Sequence, residues 1–353
     1  MNFHFKWTLK DAIFTKDKGT IFSCFACGGG STMGYKLAGF DVLGCNEIDK
    51  KLMEAYKINH NPKYSYCEPI QTFKLRNDLP EELYNLDILD GSPPCSSFSI
   101  SGNREKDWGK EKKFREGQAL QILDTLFFDF IELAKKLQPK IIVAENVKGL
   151  LIGEAKKYVY EINKSFNDAG YIVQIFVLNS KNMGVPQSRE RVFFIALRND
   201  LCEKFLWQKT LFSKVPKLIL KFDEPVIKFK EIYQGESDEN LLTGKIKKLW
   251  ENKNIYDKNL SLICKRIYKK ESFWSHHFIF KNKTVPTITA TNKNCLWDEP
   301  RKLSKRELIL SSTFPGDYDF LNNSIEFVVG MSVPPLMMAK IAEQIHKQWL
   351  SKL

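Results

Sequence analysis

The stretch that decides the fold reads Thr20-Ile21-Phe22-Ser23-Cys24-Phe25-Ala26-Cys27-Gly28-Gly29-Gly30. Its apolar half predicts a buried strand, and its three glycines predict a turn. Residues 31–39 then predict a short helix, capped by Ser31 or Thr32 and ended by Gly39. Successive glycines let a backbone approach a ligand closely at the start of a helix. The stretch therefore predicts the first strand, turn and helix of an α/β fold.

A second strand, Asp41-Val42-Leu43-Gly44-Cys45-Asn46, leads into Glu47. An acid at the end of the second strand of a βαβ unit is placed to accept hydrogen bonds from ribose hydroxyls. The strict G-x-G-x-x-G spacing is absent, and a plain tight turn followed by a solvated Glu fits the same residues. A nucleoside ligand is therefore one of two interpretations here.

A third apolar run, Leu86-Asp87-Ile88-Leu89, precedes Asp90-Gly91-Ser92-Pro93-Pro94-Cys95-Ser96-Ser97-Phe98-Ser99. This order predicts a buried strand that stops in a loop stiffened by two prolines, with Cys95 at the carboxyl end of the strand. A thiol held there could meet a substrate. A free Cys is also commonly a small buried hydrophobe, so Cys95 alone leaves both interpretations open.

The alternation continues to about residue 200. Residues 118–137 have apolar side chains at helical spacing, and the following strand, Lys140-Ile141-Ile142-Val143-Ala144, ends at Glu145-Asn146-Val147. Two more strands are predicted over 171–178 and 192–197. Strands alternating with helices predict an open, largely parallel α/β sheet, which binds ligands beyond the carboxyl ends of its strands. The glycines, Glu47, Cys95 and Glu145 all fall at such ends.

The charge of the chain favours an acidic partner. Its 353 residues predict two domains, or one with a large insertion, and its net charge is +12. Residues 241–283 contribute +8 of that charge, with aromatic side chains among the lysines and arginines. This mixture suits phosphate contacts with stacking nearby, although a solvated basic face over a small core fits equally.

Cysteine usage and hydropathy predict an intracellular, cytoplasmic protein. The eight cysteines lack the spacing of a disulfide framework, and Cys24-x-x-Cys27 has no second pair at zinc-ligand spacing, so we expect no metal site. Residues 1–19 lack an apolar core, and no segment has 18 uninterrupted apolar residues. We expect neither secretion nor a membrane span.

Taken in order, these motifs resemble the DNA (cytosine-5)-methyltransferase family along the whole chain except residues 200–285. The resemblance rests on Phe25-Ala26-Cys27-Gly28-Gly29-Gly30, Asn46-Glu47-Ile48-Asp49, Gly91-Ser92-Pro93-Pro94-Cys95-Ser96-Ser97-Phe98-Ser99, Glu145-Asn146-Val147, Gln187-Ser188-Arg189-Glu190-Arg191-Val192, Arg306-Glu307, Phe314-Pro315 and Gly330-Met331-Ser332-Val333-Pro334-Pro335. It implies a Rossmann-like S-adenosylmethionine-dependent catalytic domain over 1–199, a target-recognition domain over 200–285, and a return segment over 286–353 whose C-terminal helix packs on the catalytic domain.

The resemblance also implies the chemistry. Cytosine C5 is too weak a nucleophile to take a methyl group directly, so Cys95 is expected to add to C6 and make C5 enamine-like. Glu145 would act at N3 and the exocyclic amine. Arg189 and Arg191 would supply positive charge that favours the thiolate, with Arg191 near cytosine O2. The target base must be flipped out of the duplex.

Further site residues follow from the resemblance. The cofactor-binding residues it implies are Phe25, Ala26, Cys27, Gly28, Gly29, Gly30, Glu47, Ile48, Ile70, Asp90, Ser332 and Val333. The substrate-binding residues it implies are Pro94, Ser97, Asn146, Val147 and Gln187. Residues 99–116 would form a loop that closes on DNA. The cofactor would be S-adenosyl-L-methionine, with S-adenosyl-L-homocysteine as its product.

The sequence departs from the family pattern at three places. Cys27 replaces the first glycine of the usual Phe-x-Gly-x-Gly, and Met331 stands where Asn is usual near the cofactor pocket. Residues 67–70 replace the usual Gly-Asp-Ile beside the adenine, so the group that contacts the adenine amine is open.

Four functions are therefore compared. The first is methylation of cytosine C5 in a specific double-stranded DNA site, by a monomer that has a restriction endonuclease as a genetic partner. The second is a tRNA cytosine-5 methyltransferase, and the third is a catalytically silent DNA-binding relative. The fourth is a nicotinamide-dependent oxidoreductase, which the first βαβ unit alone allows but Cys95 and Glu145 leave unexplained.

Overall fold

A seven-stranded sheet is the centre of the structure. The computed structural model describes residues 3–94, 125–153, 155–206, 215–269, 276–291 and 293–353, together with the backbone of 111–112 and 121–122. The sheet consists of β1 Thr20–Cys24, β2 Asp41–Asn46, β3 Tyr64–Tyr66, β4 Ile88–Gly91, β5 Ile141–Val147, β6 Tyr171–Asn179 and β7 Glu190–Arg198. Their order across the sheet is β3-β2-β1-β4-β5-β7-β6.

The sheet is parallel except at β7, so the predicted α/β class with a largely parallel sheet is confirmed. Strand β7 runs antiparallel to both of its neighbours, β5 and β6. The reason lies in the connection, because a parallel neighbour needs a long crossover, usually a helix. Only residues 180–189 separate β6 from β7, too few for a crossover helix.

The described part of the chain contains ten helices. They are α1 Gly30–Leu37, α2 Lys50–His60, α3 Ile70–Phe73, α4 Leu126–Leu137, α5 Ala155–Asp168, α6 Gly244–Glu251, α7 Leu260–Tyr268, α8 Lys305–Ser311, α9 Ile325–Met331 and α10 Pro335–Gln348. Short 3-10 turns lie at Glu81–Tyr84, Lys148–Leu151, Ser180–Asn182, Asn199–Phe205, Phe229–Glu231 and Leu350–Lys352.

Three short strand pairs complete the secondary structure. They join Phe278–Ile279 to Cys295–Leu296, Gln187–Ser188 to Val285–Pro286, and Glu111–Lys112 to Gln121–Ile122.

Two helix starts differ from the prediction. The residue before α1 is Gly29, at φ 73°, and no side chain caps the helix. The predicted cap by Ser31 or Thr32 is therefore wrong, because both residues lie inside the helix, where the Thr32 hydroxyl meets that of Tyr56. Helix α4 begins at Leu126 rather than at residue 118, since 121–122 are extended; the other residues of 118–124 lie outside the described ranges.

The core lies on both faces of the sheet because neighbouring strand residues alternate sides. Phe22 and Ile142 belong to the cluster under α4 and α5, whereas Ile21 and Ile141 belong to the cluster under α1 and α10. A Cβ added to Gly34 of α1 would lie 2.5 Å from the Met338 Cβ of α10. The C-terminal helix thus packs directly on α1, beside the glycine turn.

A separate small cluster lies outside this core. It consists of Leu242, Leu249, Leu260, Ile263, Cys264, Phe278 and Cys295. Leu201, Phe205, Leu218 and Phe222 pack instead with the sheet, on the α10 side. The cluster therefore starts later and ends later than the 200–285 segment expected from the sequence.

Within the described ranges, one stretch, Ile325–Lys352, is long and apolar enough to cross a membrane by length and composition. Some 72% of its most apolar window is buried inside the protein. Its apolar side chains pack in the core.

Candidate active site

A pocket opens at the carboxyl ends of β1 and β4. It is lined by Ser23, Cys24, Phe25, Ala26, Cys27, Gly30, Ser31, Asp90, Ser92, Met331, Ser332 and Val333. Seven of the twelve residues expected to bind the cofactor are therefore neighbours here, although they come from three distant parts of the chain. The sequence analysis missed Ser23, Cys24, Ser31 and Ser92 as lining residues. Their position at strand ends and in the turn is the signal that could have identified them.

The other expected cofactor residues lie behind or beside this pocket. Glu47 is buried, and its Oε2 accepts the Cys27 N–H at 2.8 Å while Oε1 accepts the Asp49 N–H at 2.9 Å. Burial raises the pKa of Glu47 above its usual value. Glu47 thus holds the backbone of the glycine turn in place through its hydrogen bond with Cys27. Ile70 is buried in the core, and Ile48 lies beside Glu47 in the chain.

The turn itself has an unusual backbone. Phe25, Cys27 and Gly29 have φ of 54°, 48° and 73°, in the left-handed region. Glycine adopts such angles without strain, so Cys27 occupies a conformation that the usual glycine would favour. Burial raises the pKa of the Cys27 thiol to about 12, which keeps it protonated.

Two side chains hold the turn through one carbonyl. The Gly28 oxygen accepts the Tyr318 hydroxyl at 2.8 Å and the His60 Nε2 at 3.4 Å. The His60 ring also fills the space under Gly29, where an added Cβ would lie 2.2 Å from Nε2. Burial lowers the pKa of His60 to about 3, so the ring is neutral.

The floor of the pocket contains a buried acid, Asp90. Its Oδ2 accepts the Ser23 hydroxyl at 2.7 Å, and its Oδ1 accepts the Tyr35 hydroxyl at 3.1 Å. Burial raises the pKa of Asp90 to about 7, even though both hydrogen bonds act in the opposite direction.

A second group of predicted residues meets at the ends of β5 and β7. Arg191 Nε lies 2.9 Å from Glu145 Oε1, with side chains that are 13% and 10% exposed. The strand register explains the contact, because Arg191 pairs with Val147 and Phe193 pairs with Glu145. Burial lowers the pKa of Arg191, and Glu145 counteracts that effect.

The proline loop is attached to the same strand end. Asn146 Nδ2 donates to the Pro93 carbonyl at 3.2 Å, and its Oδ1 accepts the Val147 N–H at 2.8 Å. The half-buried Pro94 follows. Cys95 and Ser97 lie outside the described residues, as does most of 99–116. The chain thus reaches the residue before Cys95 beside the strand that contains Glu145.

Arg189 and Gln187 join the sheet to the return segment. Arg189 is buried, and its two Nη atoms donate to the Ile288 and Gly330 carbonyls at 2.9 and 2.8 Å. Burial lowers the pKa of Arg189. Gln187 Oε1 accepts the Ile288 N–H at 3.1 Å, and Nε2 donates to the Ser311 carbonyl at 3.3 Å. Both side chains therefore contact backbone rather than open space.

The pocket suits a polar, charged nucleoside cofactor. The buried Ser332 Oγ has the Cys27 thiol as a neighbour and forms no other hydrogen bond with the described residues, so it can also face a ligand. The first turn of α1 and the Asp90 carboxyl add donors and an acceptor on other sides. In the described part of the chain, no group of three His, Cys, Asp or Glu side chains is arranged to hold a metal ion.

Solved structures share this architecture. A putative DNA modification methyltransferase encoded within an E. coli prophage superposes with a TM-score of 0.61 over 93% of this chain and 98% of its own, at 22% identity. A Spodoptera frugiperda DNMT2 structure gives 0.61 over 91% and 98%, at 18% identity. The fold is that of an α/β methyltransferase, and the predicted S-adenosylmethionine-dependent fold class is confirmed.

A family model described as C-5 cytosine-specific DNA methylase matches residues 19–347. The chain therefore belongs to this family and is a DNA (cytosine-5-)-methyltransferase by class, as the sequence motifs predicted.

Curated relatives agree with this assignment. The type II methyltransferase M.NgoPII of Neisseria gonorrhoeae is 27% identical over 93% of this chain and 95% of its own length. M1.HphI of Haemophilus parahaemolyticus is 28% identical over 93% and 87%. M.FnuDI of Fusobacterium nucleatum is 37% identical, but the chain spans only 47% of that relative.

Proposed function

We propose that this protein transfers the methyl group of S-adenosyl-L-methionine to C5 of a flipped-out cytosine in a specific double-stranded DNA sequence, through a covalent bond between Cys95 and C6. The observation that carries the proposal is the buried pair of Glu145 on β5 and Arg191 on β7, next to Asn146 of β5, which holds the loop leading to Cys95. An acid and a guanidinium at one strand end suit the N3 and O2 edge of a pyrimidine. Bound S-adenosylmethionine supplies an electrophilic methyl group on a sulfonium.

The roles of the protein groups follow from the electron flow. The Cys95 thiolate forms a bond to C6, and the displaced electron pair moves toward C5 and N3. A proton donated or shared by Glu145 at N3 stabilises that pair, and Arg191 stabilises charge at O2. After C5 is methylated, water takes the C5 proton, the electron pair of that C–H bond re-forms the C5–C6 double bond and expels the thiolate, and N3 returns its proton to Glu145.

We propose that the target-recognition unit, expected over 200–285, has the separate cluster of residues 242–295 as its core. Its surface combines positive charge with exposed apolar groups: Ile255 and Tyr256 are each 81% exposed, and the Lys253 ammonium lies 3.1 Å from the Trp250 ring centroid. DNA binding of this kind draws on phosphate contacts for affinity and on base contacts for specificity.

The remaining parts of the proposal concern the setting. We propose that the protein acts as an intracellular monomer on chromosomal or phage DNA. A restriction endonuclease of the same sequence specificity would be its genetic partner, because the curated relatives named above are type II methyltransferases.

The test uses methyl-labelled S-adenosylmethionine with duplex DNA or tRNA. Label in DNA from the wild type, and none from Cys95→Ala, is the expected result. Sequencing of methylated DNA from expressing cells should give one short motif. Label only in tRNA would replace the DNA proposal with the RNA one, and equal labelling by Cys95→Ala would remove Cys95 from the mechanism.

A further inference from the structure

Asp90 is buried in the floor of the pocket, where it is 2% exposed. It occupies β4 directly opposite Ser23 of β1 in the parallel register, and helix α1 contributes Tyr35. Both hydrogen-bond partners are neutral hydroxyl groups.

No positive charge compensates this acid within the described residues. The titratable groups that face it are Tyr35 of α1, Cys24 of β1, Tyr56 of α2 and Glu145 of β5. Each of these is neutral or negative in its usual state, and Asp90 forms no ion pair with a described Lys, Arg or His. Burial of an unpaired carboxylate is strongly unfavourable, and the acid responds by holding its proton.

The expected ligand of this pocket brings the missing charge. S-adenosylmethionine has a positive sulfonium and a positive ammonium, whereas its demethylated product retains only the ammonium. A carboxylate that faces such a cation gains the partner that the protein itself does not provide. A carboxyl group that is partly protonated on its own and a carboxylate beside the cation are then the two states of one site.

We propose that Asp90 is the counter-charge of the cofactor and releases its proton to solvent when the cofactor binds. This inference rests on the proposed function, because it takes the pocket as the S-adenosylmethionine site. The step is an acid dissociation: the O–H bond of the carboxyl breaks, its electron pair stays on oxygen, and buffer takes the proton.

Calorimetry tests this proton release without any methyl transfer. S-adenosylmethionine is titrated into the wild type at pH 7 in buffers with small and large ionisation enthalpies, and the dependence of the heat on the buffer gives the protons exchanged. We expect release of about half a proton per cofactor, because a group whose pKa equals the pH is half protonated. Asp90→Asn should still fold, by circular dichroism, and should release none.

Two further variants distinguish Asp90 from other acids and give a result even if Asp90→Asn does not fold. Asp87→Asn changes an acid three residues earlier in the chain that pairs with Lys140 and does not line the pocket, and proton release should persist in it. Ser23→Ala removes a hydrogen bond that favours the ionised Asp90, so this variant should release a larger fraction at pH 7, even if Asp90→Asn does not fold. Release that survives in Asp90→Asn, or that disappears equally in Asp87→Asn, would overturn the assignment.

A comparison of S-adenosylmethionine with its product distinguishes which of the two cationic groups faces Asp90. If Asp90 faces the sulfonium, S-adenosylhomocysteine should bind without proton release, and the preference for S-adenosylmethionine should rise about tenfold between pH 6 and 8. If Asp90 faces the ammonium, both ligands should release the same fraction. Binding of S-adenosylmethionine without any proton exchange contradicts the Asp90 role alone, whereas a complete lack of binding contradicts the proposed function.

Discussion

Glu145 and Asp90 are buried acids of this site that have different surroundings. Glu145 contacts the Arg191 guanidinium, whereas Asp90 contacts only hydroxyls. A guanidinium stabilises the charged form of a nearby carboxylate, and a low-polarity site without a cation stabilises the neutral form. The two carboxyl groups therefore differ in whether the protein itself provides a cation beside them.

The first prediction concerns Glu145. Glu145→Gln keeps the size of the side chain and removes its ability to share a proton at N3, so single-turnover methyl transfer should slow by about 100-fold or more. The cofactor Kd, measured by calorimetry, should stay within about twofold. Glu190→Gln is the matched control, because Glu190 is 48% exposed and pairs with Lys148. Equal loss in both variants would argue against a specific role for Glu145.

Asp90 should also make the stability of the cofactor-free protein depend on pH. Its pKa is about 7 when folded and about 3.9 when unfolded, so the folded state binds more protons between these values. Stability from this group is fully present below about pH 4 and is lost as the pH rises to 7, by at most about 1.4 kcal/mol per pH unit.

His60 has the opposite sign, because burial lowers its pKa when folded, so the two slopes partly cancel in the wild type. Urea unfolding of wild type and Asp90→Asn at pH 5, 6 and 7 isolates the Asp90 slope as a difference. If the difference in unfolding free energy between wild type and Asp90→Asn is the same at all three pH values, the raised pKa of Asp90 is contradicted.

At the scale of elements, the return segment helps to hold the backbone of the glycine turn at Gly28. Tyr318 and His60, from opposite ends of the chain, bind the same Gly28 carbonyl. The return segment is in turn held by residues near the N-terminus, since Trp7 Nε1 donates to the Thr313 carbonyl at 2.8 Å and Asp317 accepts the Leu9 N–H at 2.7 Å. The turn is therefore shaped by contacts that lie outside the first βαβ unit.

Tyr318→Phe tests this support. Loss of one hydrogen bond to the turn should raise the cofactor Kd by about 3–10-fold, as expected for a bond worth about 1 kcal/mol. Melting temperature is measured alongside the Kd, and Tyr160→Phe, at an exposed tyrosine of α5, provides the control. An unchanged Kd together with a lower melting temperature would make Tyr318 a purely structural residue.

At the scale of the whole molecule, a buried charge network joins residues 299–307 to residues 233–235, because Arg301 Nη2 donates to the Gly235 carbonyl at 3.0 Å and the Tyr233 hydroxyl donates to Glu299 at 2.6 Å. Arg301 is 1% exposed and contacts Glu307 through both Nη atoms, at 2.8 and 3.1 Å. Its Nε contacts Glu299 at 2.6 Å, and Glu307 also accepts the Ser304 N–H. A network of this kind specifies how residues about 60 apart in the chain meet.

Glu307→Ala should destabilise the protein by about 3–5 kcal/mol, because it leaves a buried guanidinium without one of its acids. The free energy of unfolding is measured by urea denaturation. The exposed Arg198–Asp200 pair provides the control, and Asp200→Asn should cost less than about 1 kcal/mol. A similar small cost for Glu307→Ala would show that solvent reaches the network.

The sequence by itself determined the sheet class, the strand ends where function lies, and the family. These features come from local chemistry: apolar runs bounded by glycine and proline, and acids that directly follow strands. It also identified Glu145 and Arg191 as partners of one site, although only the register of β5 and β7 put them 2.9 Å apart.

Tertiary structure alone decided which residues share the pocket and what pKa their side chains have. Ser23, Met331 and Tyr318 are far apart in the chain, and no local pattern predicts that Gly28 has two distant donors. The cap of α1 and the reversed direction of β7 were likewise fixed by packing and by connection length. Burial raises the pKa of Asp90 to about 7, and burial is a property of the folded chain, because it depends on every element that surrounds the side chain.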